Sequence, residues 1–284
     1  MSCEIVARLD RFAGERTERR SRPPACARVS RPHVCVRPIL AALAVVVAVD
    51  AGVAYAVVFD AVDDFSTTTN TETSTWSYRR ETNLTRDGSY ALLPNFVDAS
   101  AWIPDTGIWS PFLTPFFNPG IGVNDTGSPI SVSVNPWTWP DETIWMHPNP
   151  NELIVVTWLS PITGTVDIDF EFSDMDPFGS GAGGGVNWYV DLGDSSGELA
   201  SGSFDNGGAS GPQNILGQPI SAGDRIHFIV DPKGSAHTFD STQFTASINA
   251  VPEPSTVVLL ALGIAGLIAF CRRRTLGRRA GFRR

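Results

Sequence analysis

The sequence predicts an all-β protein over the middle of this 284-residue chain, built as an antiparallel β-sandwich or jelly roll. Three observations support this fold class. Short apolar stretches alternate with polar residues, and glycine and proline separate one stretch from the next. No repeat with the helical period of 3.6 residues persists over 11 to 18 residues before the C-terminal tail. Short strands with regular turns favour a sandwich over an α/β fold.

The clearest predicted strand is Thr165–Phe172, where every second residue is apolar and the residues between are acidic. One face of such a strand enters a core and the other meets water. Gly193-Asp194 and Gly223-Asp224 mark turns. The apolar stretches predict five further strands, which are Ile130–Val134, Leu153–Trp158, Val186–Asp191, Arg225–Val230 and Gln243–Ile248.

The N-terminal segment, residues 1–56, has the three parts of a secretory signal peptide. Nine arginines precede the apolar run Ile39–Val49, which is expected to be helical, and Ala54-Tyr55-Ala56 follows as a small-residue cleavage site. The basic region is unusually long, so we expect translation to start at Val34 or Val36. The alternative is a folded N-terminal extension, but residues 1–37 have little apolar periodicity and are typical of a basic disordered leader.

The C-terminal segment, residues 251–284, combines a short apolar run with a basic end. Val257–Phe270 has no charged residue and predicts an apolar helix, although a membrane-spanning helix needs roughly 20 residues. The arginines that follow would hold the chain end on the cytoplasmic side of a membrane. An ordinary short C-terminal membrane anchor is the alternative interpretation of these features. The basic cluster begins with Arg272, Arg273 and Arg274.

Together with Pro252, Glu253 and Pro254, this tail closely resembles the PEP-CTERM sorting signal of Gram-negative bacteria. The motif, the apolar run and the arginine cluster occur in the family's order over about 25 residues. The resemblance implies an inner-membrane intermediate that the protease-transpeptidase exosortase recognises. It also implies a mature protein at the cell surface or in an exopolysaccharide or biofilm matrix.

Processing at both ends would leave residues 57–250 as one β-sandwich domain of strongly acidic character. Only five basic residues lie between Val57 and Pro254, against twenty-five acidic ones, so the formal charge of this region is −20. Such a surface repels phosphate backbones and argues against nucleic-acid binding. A domain of this size can be stabilised by its own hydrophobic core without a disulfide. All four cysteines lie outside it, at Cys3, Cys26, Cys35 and Cys271.

Six short sequences in the central region, taken in order, resemble a β-sandwich module common in exported bacterial proteins. The resemblance implies a jelly-roll-like sandwich of the carbohydrate-binding type, without a known ligand. Arg79 and Asn149 stand where the family has glycine, which puts a binding role for those loops in doubt. The six sequences are Asp64-Phe-Ser, Trp76-Ser-Tyr, His147-Pro, Val156-Thr-Trp-Leu-Ser-Pro-Ile-Thr-Gly, Gly223-Asp-Arg-Ile-His-Phe-Ile-Val-Asp-Pro-Lys-Gly and Asp240-Ser-Thr.

Tryptophans in a proline-rich segment predict contact with a glycan. Trp137, Trp139 and Trp145 lie close together in sequence, and Trp137 and Trp139 would project on the same side of an extended chain. Sugar rings have apolar faces that stack on exposed indoles. The alternative is that these tryptophans fill the core.

Acidic residues around Ser173–Phe178 predict a calcium site, because this hard cation takes several oxygen ligands. Asp174 and Asp176 are the first candidates, and Asp167 and Asp169 on the polar face of the preceding strand are the second pair. The spacing does not match an EF-hand loop. The alternative is a solvated acidic face.

Two patterns typical of enzymes are present but lack the context that catalysis needs. Gly193-Asp-Ser-Ser-Gly197 matches G-x-S-x-G, but it lies in a turn without the helix that a nucleophile elbow requires. His147, His227 and His237 do not share a zinc-binding motif. We therefore predict a non-enzyme with a structural, adhesive or glycan-binding role. The alternative is a carbohydrate-active enzyme, which requires two acids facing one cleft.

Overall fold

The computed structural model describes residues 56–101, 103–104, 106–113, 119–132, 137–176, 184–194, 197–233, 237–252 and 263–270. Sixteen strands lie within these ranges, and one helix spans residues 263–270. The strands are β1 (Val57–Asp60), β2 (Trp76–Glu81), β3 (Ala91–Leu92), β4 (Asn95–Asp98), β5 (Gly107–Ser110), β6 (Gly120–Asn124), β7 (Ile130–Ser131), β8 (Thr138–Trp139), β9 (Thr143–His147), β10 (Leu153–Leu159), β11 (Gly164–Asp174), β12 (Val186–Leu192), β13 (Gly197–Phe204), β14 (Gln213–Ile220), β15 (Arg225–Asp231) and β16 (Thr242–Pro252).

Two antiparallel sheets contain fourteen of these strands. The eight-stranded sheet has the order β14-β11-β16-β9-β6-β5-β4, and β1 also pairs with β16. The six-stranded sheet has the order β13-β12-β15-β10-β2-β3. A small ribbon of β7 and β8 completes the pairing.

The last eight strands form a jelly roll by nested pairing. β9 pairs with β16, β10 with β15, β11 with β14, and β12 with β13, so the chain from Thr143 to Pro252 is one long hairpin wound over itself. Winding places alternate strands in opposite sheets, and β16 then also pairs with β11 while β15 pairs with β12. The predicted fold class, an antiparallel jelly-roll-like sandwich, is confirmed.

The first eight strands widen this jelly roll. β2 pairs with β10 and adds β3 beyond it, while β6, β5 and β4 extend the other sheet from β9. β1 pairs with the C-terminal half of β16, on the edge whose N-terminal half is occupied by β9. Both edges of β16 are therefore paired along Thr242–Phe244 and along Ser247–Ala250.

The core lies between the two sheets and is built from alternate residues of each strand. In β11 the buried residues are Val166, Ile168, Phe170 and Phe172, as the alternation predicts. Phe244 of β16 lies among the core aromatic rings, with centroid distances of 5.0 Å both to Phe172 and to Phe228 of the opposite sheet. The side chains of facing strands thus make one continuous apolar layer.

Five of the six predicted strands match observed strands closely. The predicted strand Ile130–Val134 is shorter than expected, because pairing with β8 covers only Ile130 and Ser131. The segment after the predicted turn Gly193-Asp194, where the sequence predicts no strand, contains β13, an exposed edge strand whose small and polar residues do not alternate clearly enough to reveal it.

The helix at residues 263–270 lies within the predicted apolar tail, and Leu267 is 65% exposed. Among the residues that the structure describes, no helix is both long and apolar enough to span a membrane. The predicted signal-peptide helix lies outside the described residues.

We expect Phe244→Ala to lower the free energy of unfolding by about 3–5 kcal/mol, because the truncation leaves a cavity between the two sheets. Urea unfolding followed by tryptophan fluorescence measures the change. Leu216→Ala is the matched control, since Leu216 is 71% exposed and its truncation should change stability by no more than about 0.5 kcal/mol. Equal losses for the two variants would contradict the assignment of Phe244 to the core.

Candidate functional site

A polar cleft with a volume of about 450 Å³ lies on the outer face of the eight-stranded sheet. Its floor comes from β11, β14 and β16, and its rim comes from the segment after β1 and the turn before β9. Five carboxylates face this cleft, together with amide and hydroxyl groups. The acidic lining residues are Asp60, Asp63, Glu142, Asp169 and Glu171, and the other polar lining residues are Gln213, Asn214, Thr245 and Ser247.

Strand register sets the positions of the floor residues. Asp169 pairs with Asn214 on one side and with Ser247 on the other, and Ser247 pairs in turn with Asp60. This row of four residues crosses four strands. Glu171 and its partner Thr245 form the next outward-facing row. This row lies two residues along the strands, which is about 6.6 Å from the first. Because the core takes the alternate residues of β11, the acidic residues must face outward.

The rim carboxylates are held by local turns. The Asp60 carboxylate accepts a hydrogen bond from the backbone N–H of Val62 at 2.9 Å and one from Asp63 at 3.3 Å. Glu142 has a φ of 55° and its side chain is exposed beside the cleft. The rim is therefore fixed by backbone geometry, and its acidic groups remain open to solvent.

The cleft is acidic because the basic residues lie elsewhere. No lining residue is basic. All five basic residues of the region from Val57 to Pro254 lie in or beside the six-stranded sheet, and each pairs with a carboxylate. The pairs and their shortest N···O distances are Arg79–Glu72 at 2.8 Å, Arg80–Glu152 at 3.2 Å, Arg86–Asp191 at 2.6 Å, Arg225–Glu72 at 3.2 Å and Lys233–Asp205 at 2.7 Å.

The three tryptophans predicted to contact a glycan are buried. Trp137 is 4% exposed, and Trp139 and Trp145 are 0% exposed. They belong to a second apolar cluster beneath β7 and β8, and the Trp139 and Trp145 rings lie 6.2 Å apart. Buried rings have no free face on which a sugar could stack, so the alternative of core packing describes these residues in the structure.

The four aspartates predicted to bind calcium lie in two places. Asp167 accepts a hydrogen bond from the N–H of Gly217 at 2.6 Å, at a bulge in β14 where Gly217 has a φ of 63°. Asp169 lies in the cleft. Asp174 and Asp176 lie at the far end of β11, where the Asp174 carboxylate accepts the N–H of Asp176 at 2.8 Å. Among the described residues, no three acidic, histidine or cysteine side chains are grouped as a metal site.

The three histidines do not come together. His227 lies on the outer face of β15 and contacts the Thr157 hydroxyl, with 2.9 Å between Nδ1 and Oγ1. His147 and His237 lie near each other, with ring centroids 6.1 Å apart. Burial lowers the pKa of His147 to about 4 and that of His227 to about 3, so both rings are neutral at pH 7.

The two predicted processing sites lie at the same end of the sandwich. Val57, the first residue after the predicted cleavage site at Ala54 and Ala56, pairs with Ala250. Pro252 of the predicted sorting motif ends β16 opposite Gly164. β16 therefore extends two residues past the expected domain boundary at residue 250. Glu253, Pro254 and the arginines 272–274 lie outside the described residues, as do Ala54 and the two serines of the G-x-S-x-G match.

No local sequence pattern reveals the cleft. Asp169 is one of the predicted calcium ligands, but Asp60, Asp63, Glu142 and Glu171 belong to no predicted site, because the cleft residues come from segments far apart in sequence. The alternation of acidic residues along β11 was the available signal. It gave the outward direction of Asp169 and Glu171, but not the neighbours that β1 and β14 bring to them.

Comparison with known proteins identifies the C-terminal segment. Residues 250–274 match the family model described as the PEP-CTERM protein-sorting motif. None of the curated proteins compared with the chain matches it. The resemblance of the tail to this sorting signal is thus confirmed over the residues that carry it.

Several solved structures similar to this chain are carbohydrate-binding modules. A structure of CBM51-2 in complex with GlcNAc, with INT domains, from Clostridium perfringens ZmpB has 13% identity and a TM-score of 0.29, and the match covers 45% of this chain and 24% of that one. CBM51 from Clostridium perfringens GH95 with methyl-galactose has 15% identity and a TM-score of 0.29, over 42% and 77% of the two chains. CBM36 with calcium and xylotriose has 10% identity and a TM-score of 0.24, over 42% and 83%.

The buried histidines predict a loss of stability in acid. Because the folded-state pKa of His147 lies below its ordinary value of 6.5, the unfolded chain binds more protons between pH 6.5 and 4. We expect acidification over this interval to lower the melting temperature of the wild type relative to that of His147→Asn, which lacks the buried imidazole. His237→Asn is the comparison variant; burial also lowers the pKa of His237, but the ring is only half-buried, so its removal should change the slope less. Thermal unfolding followed by circular dichroism at pH 7 to 4.5 tests this, and identical slopes for the wild type and His147→Asn would contradict it.

Proposed function

We propose that this chain is a non-catalytic component of the cell surface or extracellular matrix of a Gram-negative bacterium and binds a glycan through the acidic cleft. The sorting motif at residues 250–274 marks an exported protein that exosortase processes. Signal peptidase would remove the N-terminal segment, and exosortase would act on the membrane-held C-terminal segment. A structural or adhesive role in an exopolysaccharide or biofilm matrix follows from that destination.

The cleft is the observation that carries the glycan proposal. Carboxylate and amide side chains are the groups that hydrogen-bond best to sugar hydroxyls, and the floor of the cleft presents them in two rows on paired strands. Its volume lies within the usual range for small-ligand sites, roughly 300–1,000 Å³. Rigid strands hold Asp169 and Glu171 in place before a ligand arrives, which reduces the entropy cost of binding.

The charge of the cleft selects the class of glycan. Five carboxylates without a basic neighbour repel sugars that carry uronate or other acidic groups. They favour a neutral glycan or one with free amino groups, whose ammonium ions can pair with the carboxylates. The ligand we propose is therefore a neutral or amine-bearing matrix polysaccharide.

The position of the two processing sites supports sorting from a folded domain. Val57 lies opposite Ala250, and Val251 and Pro252 remain paired with β11. A folded sandwich can therefore keep both of its termini at the membrane while its opposite end extends away. Removal of the segments beyond Val57 and Pro254 would leave every strand of the two sheets intact.

A second candidate function, glycoside hydrolysis, is favoured by one observation. Two carboxylates on adjacent outward positions of one strand, Asp169 and Glu171, face the same cleft. Paired acids flanking a glycosidic bond are the requirement for this chemistry. Release of reducing sugar from a glycan would establish this function in place of simple binding.

Removing the floor carboxylates should weaken glycan binding. For Asp169→Asn and Glu171→Gln we expect about a tenfold loss of affinity each for a glucosamine polymer with free amino groups, because each loses a charge-assisted hydrogen bond. Isothermal titration calorimetry measures this affinity, which should also fall as the salt concentration rises. A uronate polymer should not bind.

Asp125→Asn is the matched control for this experiment, since Asp125 is exposed and does not line the cleft. It removes the same charge and should leave the affinity unchanged. The proposal is wrong if the two cleft variants bind as tightly as the wild type, or if the wild-type protein binds no neutral or amine-bearing polysaccharide in a panel.

Processing can be checked by intact mass spectrometry of the protein from its native host. We expect a mature species that begins at Val57 and ends near Pro254, with additional mass if the new C-terminus is joined to a glycan. Glu253→Ala should accumulate precursor, because it removes the charged residue of the recognition motif. A wild-type species that still carries residues 257–284 would instead indicate a membrane-anchored surface protein.

A further inference from the structure

One buried carboxylate in the sandwich has no partner. Asp240 lies in the segment between β15 and β16 and is 2% exposed. Among the described residues, neither of its carboxylate oxygens has a hydrogen-bond partner. Its backbone is held in place, since the Asp240 N–H bonds to the His237 carbonyl at 3.3 Å and its carbonyl accepts the Thr242 hydroxyl at 3.1 Å. The side chain is thus fixed in an interior position where a bare charge is costly.

The nearest charges are of the same sign. Asp174 ends β11 directly opposite Thr242, and Asp231 ends β15. Burial is the largest cause that raises the pKa of Asp240, and these two carboxylates raise it further, to about 8. Lys233, which follows β15, pairs with Asp205 at 2.7 Å. No ion pair in the described part of the chain involves Asp240.

The carboxylate of Asp174 lies near Asp240 and can still coordinate a cation. One of its oxygens accepts the N–H of Asp176 and the other accepts the N–H of Gly207. Each carboxylate oxygen has a second lone pair, so neither is saturated. Met175, next in the chain, donates its N–H to the Ser241 carbonyl at 2.8 Å, which ties the loops bearing the two aspartates together.

Protonation would remove the charge of Asp240 but not the lack of partners. A neutral carboxyl still has a donor and an acceptor to satisfy, and neither oxygen has a hydrogen-bond partner among the described residues. A bound cation would neutralise the charge and occupy both oxygens at once. Buried groups without partners are unusual in folded proteins, and a bound ion or water is one explanation for them.

We propose that Asp240 and Asp174 bind a calcium ion at the end of the sandwich opposite the processing sites, with backbone carbonyls and water completing the coordination. Calcium accepts six to eight oxygen ligands in flexible geometry, so two carboxylates can anchor a site that contains no third acidic ligand. The site does not depend on glycan binding.

The full-length protein, stripped of metal with EDTA, provides the test. Its melting temperature is measured in CaCl₂ and in NaCl at the same ionic strength, because salt alone stabilises a very acidic protein. At a calcium concentration 100-fold above Kd, we expect calcium to raise the melting temperature by about 5–10 °C beyond the sodium control. Isothermal titration calorimetry with CaCl₂ should give one binding event.

Two variants distinguish the Asp240 site from general screening. Asp240→Asn has nearly the same shape but cannot supply a carboxylate ligand, so it should fold in EDTA while the calcium-specific rise in melting temperature disappears. Asp125→Asn, at an exposed turn, should keep the full rise. The proposal fails if calcium and sodium have the same effect on the wild type, or if Asp240→Asn keeps the wild-type calcium response.

Discussion

The pairing of β16 is the interaction on which the rest of the structure depends. This strand pairs with β11 from Thr242 to Pro252, and its opposite edge holds β9 at one end and β1 at the other. Its inward side chain Phe244 contacts aromatic rings of both sheets. Without β16, the eight-stranded sheet would separate into three parts, which are β14-β11, β9-β6-β5-β4 and β1, and the core would open to water.

Because β16 is the last strand that the structure describes, the end of the sandwich and the sorting motif overlap in the sequence. The matched motif begins at Ala250, within β16, and Pro252 is both the last residue of this strand and the first of the predicted recognition residues. The same strand defines the two ends of the domain, with Pro252 at the end near the processing sites and Thr242 about 33 Å away, beside Asp174 and Asp240.

The distribution of charge follows from the same architecture. The basic side chains are few, and all of them pair with acids in or beside the six-stranded sheet. On the outer face of the eight-stranded sheet, the charged residues that line the cleft are all acidic. At the far end of β11 and β15, aspartates lie around Asp240. Two different ligands, an amine-bearing or neutral glycan and a divalent cation, suit these two acidic sites.

The sequence predicted the elements whose signals are local. Alternation over Thr165–Phe172 gave the strand and its buried face, and the order of motif, apolar run and arginines gave the sorting signal. The tryptophan segment shows where such reasoning stops. Trp137 and Trp139 share one side of an extended chain whether that side meets solvent or packs inward, and only the placement of β7 and β8 against the second apolar cluster buries them.

By itself, the sequence determined the fold class, the sorting signal and the acidity of the mature region, since periodicity, motif order and composition need no knowledge of distant contacts. The tertiary structure alone decided which acids meet. Asp60 lies in the cleft with Asp169 only because both strands pair with β16, and Asp240 lies near Asp174 only because β16 pairs with β11. Strand pairing joins residues that are far apart in the chain, and no local pattern records its register.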